Sequence, residues 1–385
     1  MDLKVLHLDT SREWRGGQQQ VLYLTRGLEE RGIVSVVAAP QGSPLAQRLR
    51  KQDLPVIELP PGATFAPKVV RALQQILADR RWDVLHAHTA NAHTLGFLAF
   101  RLPAPRSFLR PAFVISRRVD FVPARDPLTR LKYTTGDQTI VCVSAAIRAI
   151  LEQYGVSPHA LRVVRSGVQL PGVRIASDPL PSELRPTAEM EERLELRAEL
   201  EVPADAMLLG NIGQFVEHKG HAHLLDAMAR IVREEARVHL VLLGSGELEK
   251  ELRRQAERLE LNDRVTFAGY RADAARYLSA MDLFVMPSVE EGLGTSLLDA
   301  QAAGVPVVAT RSGGIPEAIH DGVTGRIVAP AQPSELAQAI LALVRDPELR
   351  SRMGRAGRTW VEDGFTADRM IDETLGIYRE LVARR

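Results

Sequence analysis

An α/β fold of doubly wound parallel sheets, laid out twice along the chain, follows from three features of the sequence. Short apolar runs alternate with amphipathic, helix-length stretches. Glycine-rich turns follow several of these runs, at the point where a strand hands over to a helix. The whole pattern then restarts at Met207, after a stretch rich in Pro, Ser and Glu.

The first half opens with the strand KVLHL, then DTSREWRGGQQQ, then the amphipathic helix VLYLTRGLEERG closed by Gly32, then the strand IVSVVAAP. Strand, Gly-Gly turn, helix and strand make a βαβ unit, whose connection is right-handed. Gly16 and Gly17 thus fall on the ligand edge of such a sheet. Further strands are expected at 54–59, at DVLHAH, at 113–116 and at TIVCVS, with LRVVRSGVQL as the last element of this half. Helices are expected at 69–77, from about Asn91, and at SAAIRAILEQYG.

His86, His88 and His93 suggest a metal, but the first two share a strand end and no cysteine or carboxylate completes a zinc set nearby. No metal ligands are assigned. His86 reads as structural, and His93, near a helix start, as polar and outward.

Residues 171–205 read as an interdomain linker with a charged lead-in helix, EMEERLELRAEL. The second half then runs MLLGNIGQF, VEHKGHAHLLDAMARIV, VHLVLLGSGEL and RVTFAGY, a second strand, glycine turn and helix series. Two C-terminal helices are expected near 335–344 and 369–382.

The most informative stretch is MPSVEEGLGTSLLDAQAAGVPVVATRSGGIPE, from 286 to 317. A buried strand leads into Glu290 and Glu291, then the Gly292–Gly294 loop, then a helix opened by Thr295 and Ser296 and ending at Gly304. Glycines let a backbone approach a ligand, and free N–H groups at a helix start favour an anion such as phosphate. Glu291 lies in the loop and Asp299 on the second turn of the helix, so one carboxylate can be aimed at each end of an elongated ligand. VPVVAT is the next buried strand and RSGGIPE a second Gly-rich turn into a helix.

PSVEEGLGTSLLDAQAAGVPVVATRSGGIPE resembles the nucleotide-sugar site of the retaining glycosyltransferase family 4. That resemblance implies a GT-B fold: two doubly wound Rossmann-like domains facing across a cleft. The family pattern is a Glu, seven residues, a second acid and then A-x-A-x-G-x-P-V-V-A-T. Glu291 matches the first acid, and Asp299 stands where the family usually has Glu. The resemblance is strong over 206–330 and looser over 1–170. It implies an acceptor-binding domain over 1–170, a nucleotide-sugar domain over 206–362, and a helix over 363–385 that crosses back to the first domain. Gly16 and Gly17 match the family's Gly-Gly turn, and His88 its active-site histidine. Lys219 matches the lysine of G-R-x-x-x-x-K-G, which neutralises the donor diphosphate, whereas the arginine position holds Gln214. A glutamine can hydrogen-bond phosphate but brings no charge. The wording DTSREWRGGQQQ is similar to bacterial lipopolysaccharide-core and other cell-surface members.

The resemblance implies retaining hexosyl transfer from a nucleotide-diphosphate-sugar to a glycan or lipid-linked acceptor. The catalytic set is His88, Lys219 and Glu291. The donor set adds Gly16, Gly17, Gln214, Gly292, Leu293, Gly294, Thr295, Ser296 and Asp299. The diphosphate would sit on Lys219 and the N–H groups around 294–296, Asp299 would take the ribose hydroxyls and Glu291 the sugar hydroxyls. The chain contains no Asp-x-Asp, so metal-independent transfer without a cofactor is expected.

The composition agrees with this class. Net charge is +1, so no global basic field argues for nucleic acid. The one cysteine, Cys142, lies in an apolar run, so it reads as core and leaves no intrachain disulfide framework, which fits the cytosol. The N-terminal apolar run is too short for a signal peptide, and no run approaches the roughly 20 residues of a membrane span.

Between Phe97 and Tyr133, Arg101, Arg106, Arg110, Arg117, Arg118, Arg125, Arg130 and Lys132 alternate with Phe97, Phe100, Phe108, Phe113 and Phe121. They form either an ordinary surface over a core or a basic, partly apolar patch for peripheral contact with anionic membrane. Two other functions stay open on this architecture. One is a nucleotide-sugar-binding regulator without turnover, favoured by Gln214 and Asp299. The other is a sugar-nucleotide epimerase. A phosphorylase, with lysine-linked pyridoxal phosphate, is usually far longer.

Overall fold

The computed structural model describes residues 3–104, 108–135, 137–170 and 188–385. The chain divides into two compact units, one of Met1–Gly167 with Ala367–Arg385 and one of Val168–Thr366. The lead-in helix is Ala188–Glu199, whereas the linker residues 171–187 lie outside the described residues.

The first unit carries a parallel sheet of seven strands: β1 Lys4–Leu8, β2 Val34–Pro40, β3 Val56–Leu59, β4 Val84–Ala87, β5 Ala112–Arg117, β6 Gln138–Cys142 and β7 Leu161–Val163. Their order is β3-β2-β1-β4-β5-β6-β7. The second unit carries six: β8 Met207–Ile212, β9 Val238–Leu243, β10 Val265–Gly269, β11 Leu283–Met286, β12 Val307–Thr310 and β13 Arg326–Val328, in the order β10-β9-β8-β11-β12-β13. Central strands such as VHLVLL and LFVM are buried along their whole length. That is why they read as unbroken apolar runs rather than alternating ones: helices cover both faces of a parallel sheet.

Both sheets reverse direction of winding between two neighbouring strands, β1 and β4 in the first unit, β8 and β11 in the second. At such a switch point the loops leaving adjacent strands diverge and open a crevice beyond the strand ends, where ligands of this architecture bind. The predicted site residues follow those four strands.

Several local expectations are corrected. The first helix spans Gly16–Glu30, so the Gly-Gly pair is its opening turn and not a turn before it. Packing of Leu24 and Leu28 on the core holds the helix that these two glycines open. Helices at Pro44–Lys51, Pro127–Thr134 and Pro347–Gly364 had no counterpart in the sequence reading; each has Pro in its first turn, where the missing N–H costs nothing. Asp282 precedes β11 and accepts from Arg193, from Arg197 at 2.7 Å and from the Leu208 amide at 2.7 Å, fastening Ala188–Glu199 to the second sheet. The final helix, Ala367–Ala383, packs in the first unit, where Tyr378 is fully buried.

Candidate functional site

In the second unit the switch-point crevice is framed by the loop after β8 and the loop after β11. Two hydrogen bonds clamp them together: the Val289 amide donates to the His218 carbonyl at 2.8 Å, and Ser296 Oγ donates to the Ile212 carbonyl at 3.1 Å. Gly220 makes this close approach possible. Its φ is +69°, and a Cβ there would meet the Pro287 carbonyl oxygen at 2.1 Å.

The clamp brings Lys219 to Glu291, with Nζ donating to Oε2 at 2.5 Å, and Ser288 Oγ donates to the same oxygen at 3.3 Å. The pair is partly sheltered from water, with side-chain exposures of 25% and 12%, so its attraction is less screened than that of a surface pair. Gly292, Leu293 and Gly294 are buried beside it. Gly294, at φ +86°, turns the chain into the helix Thr295–Ala302, whose start no side chain caps. Its first backbone N–H groups have no partner within the helix. Asp299, one turn further on, is half-buried, and burial pushes its carboxyl up to about 7. Gln214 is half-exposed in the loop after β8.

Sequence reading passed over two neighbours of this crevice. His221 is buried, and its Nε2 is 3.0 Å from Asn211 Oδ1. Asn211 Nδ2 donates to the Val285 carbonyl at 2.7 Å, so Oδ1 accepts and His221 carries its proton on Nε2. Burial, with Lys219 nearby, lowers His221 to about 4. Its place directly after Lys219-Gly220 was the only available signal.

In the first unit, His88 follows β4 beside the end of β1, with its amide donating to the Leu8 carbonyl at 2.9 Å. Arg118 reaches it from the end of β5, donating to the His88 carbonyl at 3.0 Å and to His88 Nδ1 at 3.3 Å. The aliphatic part of Arg118 lies against Gly17, 3.6 Å from where a Cβ would stand. Gly17, Arg118 and His88 therefore line one edge of the sheet. Asp9, buried at the end of β1, accepts from Gln18 Nε2 at 3.0 Å and from the Ser11 amide at 2.8 Å. Desolvation raises its carboxyl pKa, opposed by these bonds and by Arg118.

The histidine expectations divide. His86 is buried between Tyr378 Oη at 2.5 Å and Ser116 Oγ at 2.9 Å. His93 is not outward: it is fully buried, bonded to Gln138 Oε1 at 3.1 Å, and burial with Lys132 close by lowers it to about 3. The helix Ala90–Arg101 presents that position to Phe113 and Tyr133. Among the described residues the group with metal-ligand spacing is His7, His86 and His88, whose nitrogens lie within 4.8 Å of one another. His7 Nδ1 is 2.9 Å from His88 Nε2, and both nitrogens of His86 face hydroxyls, so the set is committed to hydrogen bonds.

The arginine- and phenylalanine-rich stretch also divides. Arg117 is buried against Tyr133 Oη, Lys132 is buried against Thr94, and Phe97 and Phe113 are core. Arg106 lies outside the described residues. Arg101, Arg110, Arg125 and Arg130 are exposed, together with Leu109, Phe121, Val122 and Leu128.

Comparison with known proteins matches this geometry to a class. Residues 192–360 match the glycosyl transferases group 1 family and residues 14–170 match glycosyltransferase family 4. The lipopolysaccharide core biosynthesis glycosyltransferase LpsE of Rhizobium meliloti is 34% identical over 69% of each chain, and LpsD of the same organism is 29% identical over the whole of both. The crystal structure of Anabaena Alr3699/HepE in complex with UDP-glucose superposes with a TM-score of 0.80, at 23% identity, over 97% of this chain and 99% of that one. The chain belongs to glycosyltransferase family 4 and has the GT-B fold.

Proposed function

We propose that this enzyme is a retaining, metal-independent hexosyltransferase. It would move a sugar from a nucleotide-diphosphate-sugar to a glycan or lipid-linked acceptor in bacterial lipopolysaccharide-core or surface-polysaccharide synthesis. The observation that carries the reading is the Lys219–Glu291 pair beside the uncapped start of Thr295–Ala302, at the switch point of the second sheet. Bond cleavage at the anomeric carbon leaves negative charge on the diphosphate, and catalysis must stabilise that charge more than the ground state. Lys219 Nζ has three donors, so it can keep Glu291 and still reach a phosphate oxygen. The N–H groups of Gly294, Thr295 and Ser296 add a positive helix end without a metal. Glu291, held by Lys219, would accept from sugar hydroxyls, and Asp299 from the ribose. In the first unit, His88 and Gly16–Gly17 are proposed to take part in transfer from the switch-point edge of their own sheet. Gln214 would give the diphosphate a hydrogen bond but no charge.

The bacterial surface-glycan setting is supported by the two Rhizobium relatives. Among the described residues no helix is long and apolar enough to cross a membrane. Docking of a lipid-linked acceptor would use the exposed arginines and apolar side chains around Leu109 and Phe121.

A thermal-shift panel of nucleotide sugars, followed by donor hydrolysis and transfer assays in excess chelator, tests the reading. Stabilisation by a donor with release of its nucleotide diphosphate is expected. Binding without any turnover would favour the regulatory alternative. Dependence on added Mn²⁺ or Mg²⁺ would refute metal independence.

A further inference from the structure

His7 stands on β1 in register with His86 on β4, and His88 lies two residues beyond His86 on the same face. The hydrogen bonds among these rings can be given a direction. A guanidinium only donates, so Arg118 Nη2, 3.3 Å from His88 Nδ1, makes that nitrogen an acceptor. A neutral His88 then carries its proton on Nε2. That nitrogen is 2.9 Å from His7 Nδ1, so His88 donates and His7 accepts. His7 in turn carries its proton on Nε2 and donates to Ser35 Oγ at 3.0 Å. A proton on both nitrogens of His88 would set donor against donor at Arg118. Burial and the nearby guanidinium hold both rings neutral.

We infer that His7 is a positioning residue for His88: the chain Arg118–His88–His7–Ser35 fixes the His88 ring and its tautomer, and through it the place of the Arg118 guanidinium beside Gly17. The inference rests on the proposed role of His88 in transfer. Its geometric basis is independent of that role. Arg118 also donates to the His88 carbonyl at 3.0 Å, so ring and backbone of one residue grip one guanidinium. Without an acceptor at His7 Nδ1, the buried His88 Nε2–H loses its partner, and the competing tautomer, which repels Arg118, becomes accessible.

The test combines imidazole ¹H–¹⁵N correlation spectra of the full chain with steady-state kinetics. The wild type is expected to show His7 and His88 both protonated at Nε2. His7→Leu should abolish the single-tautomer signature of His88 and lower kcat by about 10-fold or more, with the KM for donor nearly unchanged. His7→Asn, whose side-chain oxygen can take the place of Nδ1, should keep the signature and recover most of the rate. Should His7→Leu fail to fold, Ser35→Ala removes the far end of the chain, and the same kcat-against-KM split is expected. His88 protonated at Nδ1 in the wild type would overturn the inference, as would equal rates in the Leu and Asn variants or a parental kcat in Ser35→Ala. A wild type without transferase activity would defeat the proposed function instead, and the spectra alone would then decide the tautomer chain.

Discussion

Lys219 Nζ lies 2.5 Å from Glu291 Oε2 although 72 positions separate the two residues. Neither side chain can be altered without changing the electrostatics of the other. Lys219→Ala should cost about 2–4 kcal/mol of transition-state stabilisation, the range for loss of one preorganised donor. Glu291→Gln, near isosteric, should abolish transfer with the fold intact. Because the two act as a pair, the double variant should be little worse than the worse single one. Kinetics of the four proteins measure this, and additive losses would show that the pair does not act as a unit.

Asp299 has no Glu's reach and, with its carboxyl pushed up to about 7, is only partly ionised near neutrality. Ribose hydroxyls donating to it would favour the ionised form. Nucleotide binding near pH 7 should therefore release protons, and affinity should rise with pH through that region. Calorimetry in buffers of different ionisation enthalpy detects the released proton. Asp299→Asn should remove the linkage, Asp299→Ala should weaken nucleotide binding, and Asp299→Glu should be tolerated. The stability sign is fixed by the same shift. The folded pKa is above the unfolded one, so folding is penalised as pH rises from about 4 to 7 and fully so beyond. Asp299→Asn should raise Tm at pH 8 more than at pH 5.

Buried His7, His86, His88, His93 and His221 all have lowered pKa values, chiefly through desolvation. Each is neutral when folded and free to protonate when unfolded. Their contribution is complete above the unfolded value of about 6.5 and is lost as pH falls below it, by about 2 kcal/mol per histidine at pH 5. Tm should drop steeply between pH 6.5 and 5. A flat profile over that range would mean the rings titrate alike in the folded and unfolded chain.

The exposed arginines near Leu109 and Phe121 carry the membrane prediction. Each basic residue at an anionic surface contributes about 1 kcal/mol, so a few suffice for reversible docking. Co-sedimentation with anionic vesicles should be salt-sensitive and should fall in an Arg110/Arg125/Arg130→Glu variant. Equal binding to neutral and anionic vesicles, or none to either, would rule the docking out.

The sequence by itself determined the two parallel sheets, because strands buried on both faces leave unbroken apolar runs and glycines mark where they turn. It also determined the loop that carries Glu291 and the helix that carries Asp299, whose parts are neighbours along the chain. What only the tertiary structure decided depends on strand order. Lys219 meets Glu291 because β8 lies beside β11, and His7 meets His88 because β1 lies beside β4. Neither adjacency is written in local periodicity. The same limit hid the burial of His93 and Arg117: an isolated polar residue near a helix start or strand end reads as outward until its partners, Gln138 and Tyr133, arrive from elsewhere in the chain. Hydrogen-bond partners supplied by distant segments let these polar groups leave water, and no local pattern encodes them.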